Sequence, residues 1–363
     1  MAVTDNPPLN IALIAEQRST YRDQGYSEEE CAALTHSGEV EAVLSTLEKL
    51  GHHVTLVPGI QSLVKHLAVG TNKDWDLFFN MAQGFHGLAR EAQVPALLDA
   101  YQALYTFSDA ATMALCQNKA HTKIALAHHK IPTAPFWVVP REEQTLSLPS
   151  FAETLPHYPL FIKPVTEGSS KGIDGFNKVK EPAELERAVQ ELRSIFPDED
   201  ILVEPFLSGQ ELSVSILGTG AHSRVIGATE FMWQKAPSDK QVRNGDYSNL
   251  EFASRKSKSS DGHMLVVRND PAVMADPQVK AACQVALDAW NALGCRDAGR
   301  VDIRFSSNEP DAVPNVLEVN PISGLLPGHS PLATSAEGNG LPYEKLLAAI
   351  IQSALNRRAA CYN

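Results

Sequence analysis

Residues 316–324 read VLEVNPISG. In a strand, residues two apart project to the same face, so Glu318 and Asn320 share one side while Leu317 and Val319 share the other. An apolar strand that carries a carboxylate and an amide together, and then stops at Pro321, has two readings. It is the polar face of an edge strand, or it is a rigid mount for oxygen ligands of a hard cation such as Mg²⁺. Neighbouring segments bear on the choice.

AGRVDIRF, residues 298–305, repeats the arrangement. Arg300, Asp302 and Arg304 fall on one face of the predicted strand, with Val301, Ile303 and Phe305 on the other. Asp302, Glu318 and Asn320 then make three oxygen ligands that can hold one or two Mg²⁺ ions and leave coordination positions for phosphate oxygens. An arginine beside such a cluster is wanted where negative charge develops during a reaction.

Upstream, EGSSKG (167–172) is a loop of small residues after the predicted strand PLFIKPV. It has two readings. Gly168-Ser169-Ser170-Lys171-Gly172 fits the GxSxG elbow of serine hydrolases, and Asp302 and His329 follow in the right order for a triad. An elbow needs a helix straight after its serine, whereas IDGFNKVKEP follows here and has no apolar helical period. The alternative is a flexible loop whose N–H groups fold over phosphates. Lys163 lies on the strand before the loop, and Lys119 on the helix before that. In ILVEPFLSGQE, Pro205 keeps its carbonyl but has no N–H. A free carbonyl at 205 and a free N–H at 207 would read the polar edge of an adenine, with Glu211 placed for ribose hydroxyls.

The chain of 363 residues is 44% hydrophobic and 20% charged, enough for two or three domains with real cores. A net charge of −12 argues against a nucleic-acid partner, because binding phosphate backbones needs a basic surface. Five scattered cysteines without a CxxC pair fit reduced thiols better than disulfides or a zinc site. No apolar window reaches the length of a membrane span, and MAVTDNPPLN does not read as a signal peptide. A cytoplasmic location with no membrane partner is the expectation.

LNIALIAE reads as a buried parallel strand, and EVEAVLSTLEKLG as a helix with Val40, Val43, Leu44 and Leu47 facing inward. HHVTLVPG and DWDLFFNMA are two further strands with a helix between, so the first domain is expected to be Rossmann-like. One long helix is expected at 109–129 and another at 273–293. The polar stretch 236–262 reads as a lid.

In this order and spacing, FIKPVTEGSSKGI, ILVEPFLSGQELSVSILG, GRVDIRF and VLEVNPISGLLPGHS resemble the ATP-grasp superfamily, and within it the D-alanine–D-alanine ligase branch. The resemblance runs from about residue 9 to 357 and includes FNMAQGFHGLAREAQVPALLDAYQALYTFSD. It implies an α/β architecture of three domains: a Rossmann-like N-terminal domain (1–118), a small central α+β domain (119–211) and a larger C-terminal α+β domain (212–363). It also implies an ATP-dependent carboxylate–amine ligase that works through an acyl phosphate, with ATP and Mg²⁺ or Mn²⁺ as cofactors. Amino acids would be its small-molecule substrates, and a homodimer its assembly.

By the same resemblance, Lys119 and Lys163 would contact ATP phosphates, and Ser169 and Ser170 would close over the γ-phosphate. Glu204, Pro205 and Leu207 would line the adenine pocket, with Glu211 at the ribose. Asp302, Glu318 and Asn320 would bind the metal. Arg300 and the Gly324 N–H would stabilise an oxyanion, and Ser330 would meet the second substrate's carboxylate. A lid lysine, Lys256 or else Lys258, would reach the phosphates.

Two departures fall in the first-substrate pocket. Relatives carry a glycine-rich GGxSxE segment whose Glu holds the first ammonium; here AEQRSTYRDQGYSEEE offers Glu16, Glu29 or Glu30 instead. Relatives have His-Gly where this chain has Gln83-Gly84. Both changes imply a first substrate larger than, or differently charged from, D-alanine, with another amino-acid or hydroxy-acid pair as the alternative specificity.

Overall fold

Strand β1 (Asn10–Ala15) lies at the centre of a parallel three-stranded sheet, between β2 (His53–Pro58) and β3 (Leu77–Asn80). The computed structural model describes residues 7–28, 30–142, 157–233 and 265–361. Alternate residues of β1 enter two cores. Ile11, Leu13 and Ala15 pack with Val40, Val43 and Leu47 of the helix Ser37–Lys49, whereas Ala12 and Ile14 pack with Leu63 and Leu67 of the helix Gly59–Val69. Helices on both faces explain the unbroken apolar run of β1.

Two antiparallel sheets follow. The smaller has the order β4 (Trp137–Val139), β7 (Ile201–Pro205), β5 (Leu160–Pro164), β6 (Lys178–Val179). It is covered by the amphipathic helix Pro182–Ile195 through Leu185, Val189 and Leu192. The larger has the order β10 (Leu265–Arg268), β9 (Arg224–Trp233), β8 (Glu211–Leu217), β11 (Ala298–Phe305), β12 (Pro314–Asn320). Val279, Ala286 and Trp290 of the helix Pro277–Ala292 back it. This is the three-part α/β architecture expected of the ATP-grasp fold.

Three expectations change. The helix expected over 109–129 is two, Ala110–Gln117 and Lys119–His128, because Asn118 turns out of the helix and caps the second by accepting the His121 N–H at 2.9 Å. Lys119 thereby becomes a helix's first residue. The helix expected over 273–293 is also two, Pro271–Ala275 and Pro277–Ala292, broken where Asp276 caps the second and Pro277 takes its first position.

The third change concerns the chain's end. The helix Tyr343–Cys361 packs Leu346, Leu347 and Ile350 into the core of the first sheet, so residues 212–363 are not a self-contained unit. Fully buried Asp297 latches the return: its carboxylate accepts the Phe107 N–H at 2.7 Å and pairs with Arg357. The stretch expected to be a lid, 236–262, lies outside the described residues, and Lys256 and Lys258 lie within it.

Candidate active site

Antiparallel pairing of β11 with β12 sets Asp302 opposite Glu318 and Arg300 opposite Asn320. Close approach of the strands depends on Gly299, where a Cβ would stand 2.4 Å from the Asn320 carbonyl and 2.7 Å from the Trp290 ring. Ser213 donates to Asp302 Oδ1 at 2.5 Å, Asn320 Nδ2 donates to Oδ2 at 3.2 Å, and Arg300 stands 3.7 Å from the same carboxylate. Across the cleft, Lys119 Nζ lies 3.6 Å from Glu318 and donates to the Glu167 carbonyl at 2.5 Å.

These contacts set the charges. Burial, with Glu318 adding to it, pushes the Asp302 carboxyl up to about 6. Burial would raise Glu318 too, but Lys119, Lys163 and Arg300 together pull it down to about 2. Two facing carboxylates make a donor set that suits a divalent cation, and the Asn320 amide adjoins them. The geometry therefore fits the metal expected from the sequence, although among the described residues no three His, Cys, Asp or Glu side chains form a metal-binding group.

Beside this pair runs the floor of a cleft. β5 and β7 pair antiparallel and project Lys163 and Glu204 together, with Lys163 Nζ 2.7 Å from Glu204 Oε1. Lys123 reaches the other oxygen, also at 2.7 Å, and donates to Thr133 Oγ1 and the Ala134 carbonyl. Burial opposes ionisation of Glu204, yet the two ammonium groups hold its carboxyl at about 2. Pro205, Phe206 and Leu207 continue the wall, and Phe206 is flanked by Lys178 at 4.0 Å and Arg304 at 4.9 Å. Glu211 pairs with Arg304 at 3.0 Å.

The small-residue loop forms the opposite lip. Ser169 and Ser170 both take left-handed backbone, at φ 54° and 58°, a strained conformation of the kind that concentrates at functional turns. Gly172 cannot be replaced cheaply, because a Cβ would meet the Phe196 ring at 2.6 Å. Arg90 and Lys171 each hold Glu167 at 3.2 Å, anchoring the loop's start. The hydrolase reading fails here: after Ser170 comes a turn and then a short 3₁₀ segment, Gly175–Asn177, and Asp302 is bound by Ser213 and Asn320.

Of the residues to which the resemblance gives roles, ten line this one cleft. Lys119, Lys163, Glu204, Pro205, Leu207 and Glu211 are there, with Ser170, Arg300, Asp302 and Glu318. Asn320 adjoins it through Asp302. Gly324 and Ser330 form a second group, the Ser330 hydroxyl lying 2.8 Å from where a Gly324 Cβ would be.

Glu16 and Gln83 form a third, near the ends of β1 and β3. Glu16 is 2% exposed and its carboxylate accepts the Gly84 N–H at 2.6 Å. It braces the backbone that follows β3. Burial raises its pKa, against the hydrogen bonds from Gly84 and Ile60. Glu30 is exposed and bound by the Ser27 hydroxyl at 2.6 Å, and Glu29 lies outside the described residues. Over Glu16 sits an aromatic group in which Tyr21 stacks on Phe85 at 4.4 Å and Tyr26 meets the same ring edge-on at 4.6 Å. Burial, with Glu16 adding to it, pushes the Tyr21 hydroxyl up to about 12.

Sequence reading missed Lys123 and Glu91. Lys123 is four residues beyond Lys119, so the two share a helix face, and that spacing was the available signal. Glu91, pushed up to about 7 by burial despite Arg90 and Lys119, carries no local pattern that would have marked it.

Fold and cleft together define a nucleotide-using enzyme of the ATP-grasp type. A family profile described as the D-ala D-ala ligase C-terminus matches residues 125–352. The D-alanine–D-alanine ligase of Rhizorhabdus wittichii is 30% identical over 97% of this chain and 99% of its own length. That of Pelobacter propionicus is 35% identical over 72% of this chain and 74% of its own. Among solved structures, the D-alanine–D-alanine ligase of Bacillus anthracis aligns at TM-score 0.70 and 20% identity, covering 97% of this chain and 99% of that one. The Coxiella burnetii ligase aligns at 0.66 and 20%, covering 98% and 97%. The chain belongs to the D-alanine–D-alanine ligase family and is an ATP-dependent ligase.

Proposed function

We propose that this enzyme joins two molecules of D-alanine, at the cost of one ATP, through an acyl phosphate of the first. The observation that carries the reading is the convergence of Lys119, Lys163, Arg300, Asp302 and Glu318 on one cleft whose wall runs along Glu204–Leu207. Names of the relatives support D-alanine as the substrate.

In this reading Lys119 and Lys163 neutralise the ATP phosphates, and the Ser169–Ser170 turn covers the terminal one. The first carboxylate attacks the γ-phosphorus, ADP leaves, and the protein's work is positioning and charge neutralisation. The amine of the second molecule then attacks the acyl carbonyl. Arg300 and the Gly324 N–H bear the oxyanion's charge, Ser330 holds the second carboxylate, and phosphate departs. Asp302, Glu318 and Asn320 would hold Mg²⁺ or Mn²⁺, which supplies charge neutralisation at the phosphates when bound. The lid lysine, Lys256 or Lys258, would add a further cation. Family resemblance supports a homodimer in the cytoplasm.

A second reading keeps the chemistry and changes the first substrate. Gln83 in place of the usual His, and the aromatic group of Tyr21, Tyr26 and Phe85 above Glu16, favour it. A neutral amide offers donors and an acceptor without titrating near neutrality, so it can orient a larger polar side chain. ADP release measured across D- and L-amino acids and hydroxy acids tests both. D-alanine is the best stimulant under the first reading, and a larger D-amino acid or hydroxy acid under the second. No stimulation by any of them contradicts both.

A further inference from the structure

Glu39 stands at the third position of the helix Ser37–Lys49, where a glutamate ordinarily turns back to cap its own helix. Here the N-cap His36 accepts the Gly38 N–H itself, and Glu39 points elsewhere. Its Oε1 accepts the N–H of Leu325, 286 residues away, at 2.6 Å. The same oxygen lies 3.7 Å from where a Cβ of Gly324 would be. On the other side of that glycine, the Ser330 hydroxyl accepts the Leu326 N–H at 3.0 Å. Two successive amides of the turn are therefore tied down, one by the serine at its end and one by a carboxylate from the N-terminal unit.

Glu39 is half-buried and its carboxyl is raised mainly by that burial, with Leu325, Arg18 and His36 opposing. Tyr343, at the start of the last helix, senses its charge, and the buried Tyr343 hydroxyl has no hydrogen-bond partner among the described residues. A carboxylate accepting a backbone amide at this distance is a charge-assisted bond, stronger than a neutral one. Nothing in the local helix requires it.

We propose that Glu39 is a positioning residue for amide-bond formation: by holding the Leu325 N–H it fixes the turn that presents the Gly324 N–H and the Ser330 hydroxyl to the amine-side substrate. This rests on the roles of Gly324 and Ser330 proposed above. It separates the two halves of the reaction. Acyl-phosphate formation takes place at the lysine and carboxylate cleft and does not depend on the turn's exact position, whereas capture by the second amino acid does.

The test compares Glu39→Ala and Glu39→Gln with the parent enzyme in two assays. Hydroxylamine at high concentration traps an acyl phosphate as a hydroxamate without using the second pocket; dipeptide formation uses that pocket. Glu39→Ala should lower kcat/KM for dipeptide formation about 10- to 150-fold, the range for a lost hydrogen bond to a charged group. Hydroxamate yield and KM for ATP should stay within about threefold of the parent. Glu39→Gln retains an acceptor oxygen and should recover most of the loss. Equal losses in both assays, or a glutamine as damaging as alanine, would overturn the positioning role, as would dipeptide formation unchanged in Glu39→Ala. Thermal unfolding of each variant guards against a misfolded one, and a midpoint drop accounting for the loss also counts against the proposal. A parent that makes neither product overturns the ligase reading itself, and this inference with it.

Discussion

The Lys119 ammonium stands 3.6 Å from the Glu318 carboxylate, bringing the first residue of one helix against the middle of strand β12. Burial lowers the lysine's pKa, and Glu318 opposes that. Each group keeps the other charged until a phosphate or a cation takes over. In the proposed reading, replacing Lys119 by Met removes a charge-assisted contact to the phosphates. About 1.5–3 kcal/mol is expected, or roughly 10- to 150-fold in kcat/KM for ATP. Steady-state kinetics check this, and an unchanged constant would place Lys119 outside the phosphate contacts.

Lys123 answers a different question, since it serves Glu204 and the protein interior. Breaking a buried ion pair by removing one partner costs about 3–5 kcal/mol, because the other charge is left uncompensated. Lys163 still faces Glu204 in Lys123→Met, so the lower end of that range is expected. Denaturant unfolding measures it. A loss below about 1 kcal/mol would mean that Lys163 alone suffices.

Glu204 also predicts an acid limit. Its folded carboxyl sits at about 2, against an ordinary 4.5. A depressed folded value contributes stability that is present above the unfolded pKa and is lost as pH falls through the folded one. The window therefore runs from about pH 4.5 down to about pH 2. Across it, the unfolding free energy of the parent should fall more steeply than that of Glu204→Gln, by up to about 1.4 kcal/mol per pH unit. Parallel slopes would show that Glu204 titrates alike folded and unfolded.

Specificity at the first position turns on Gln83 and the aromatic group near it. If the second reading holds, Gln83→His should shift preference toward D-alanine by about 5- to 150-fold, the worth of one fitted buried hydrogen bond. The ratio of kcat/KM values for D-alanine and the best competing substrate reads this. A ratio unmoved by the substitution would remove Gln83 from the specificity determinants.

How far the site was legible depended on the kind of signal. Alternation along VDIRF and LEVN carried Asp302, Glu318 and Asn320, because strand period alone fixes which side chains share a face. The turn residues of EGSSKG carried the loop, and the structure supplied the left-handed serines. Helix continuity misled at Asn118 and Asp276, where a single capping side chain outweighs apolar periodicity on both sides. Local pattern does not choose among Glu16, Glu29 and Glu30 as the acid that replaces the glutamate of the family's glycine-rich segment, because the burial of Glu16 against the Gly84 amide is a contact between distant segments. Lys123 is signalled only by its spacing from Lys119, whereas Glu39 acts across the fold, and contacts between segments far apart leave no trace in local pattern. The last helix's return to the first sheet is invisible in sequence for the same reason.

The most direct test of the account is the stoichiometry of ADP, inorganic phosphate and dipeptide when the enzyme is given Mg-ATP and D-alanine. The account predicts all three in equal amounts, all dependent on the amino acid, and none from Glu318→Ala. ADP released at the same rate without any amino acid, or with no dipeptide formed from any member of the panel, would contradict it.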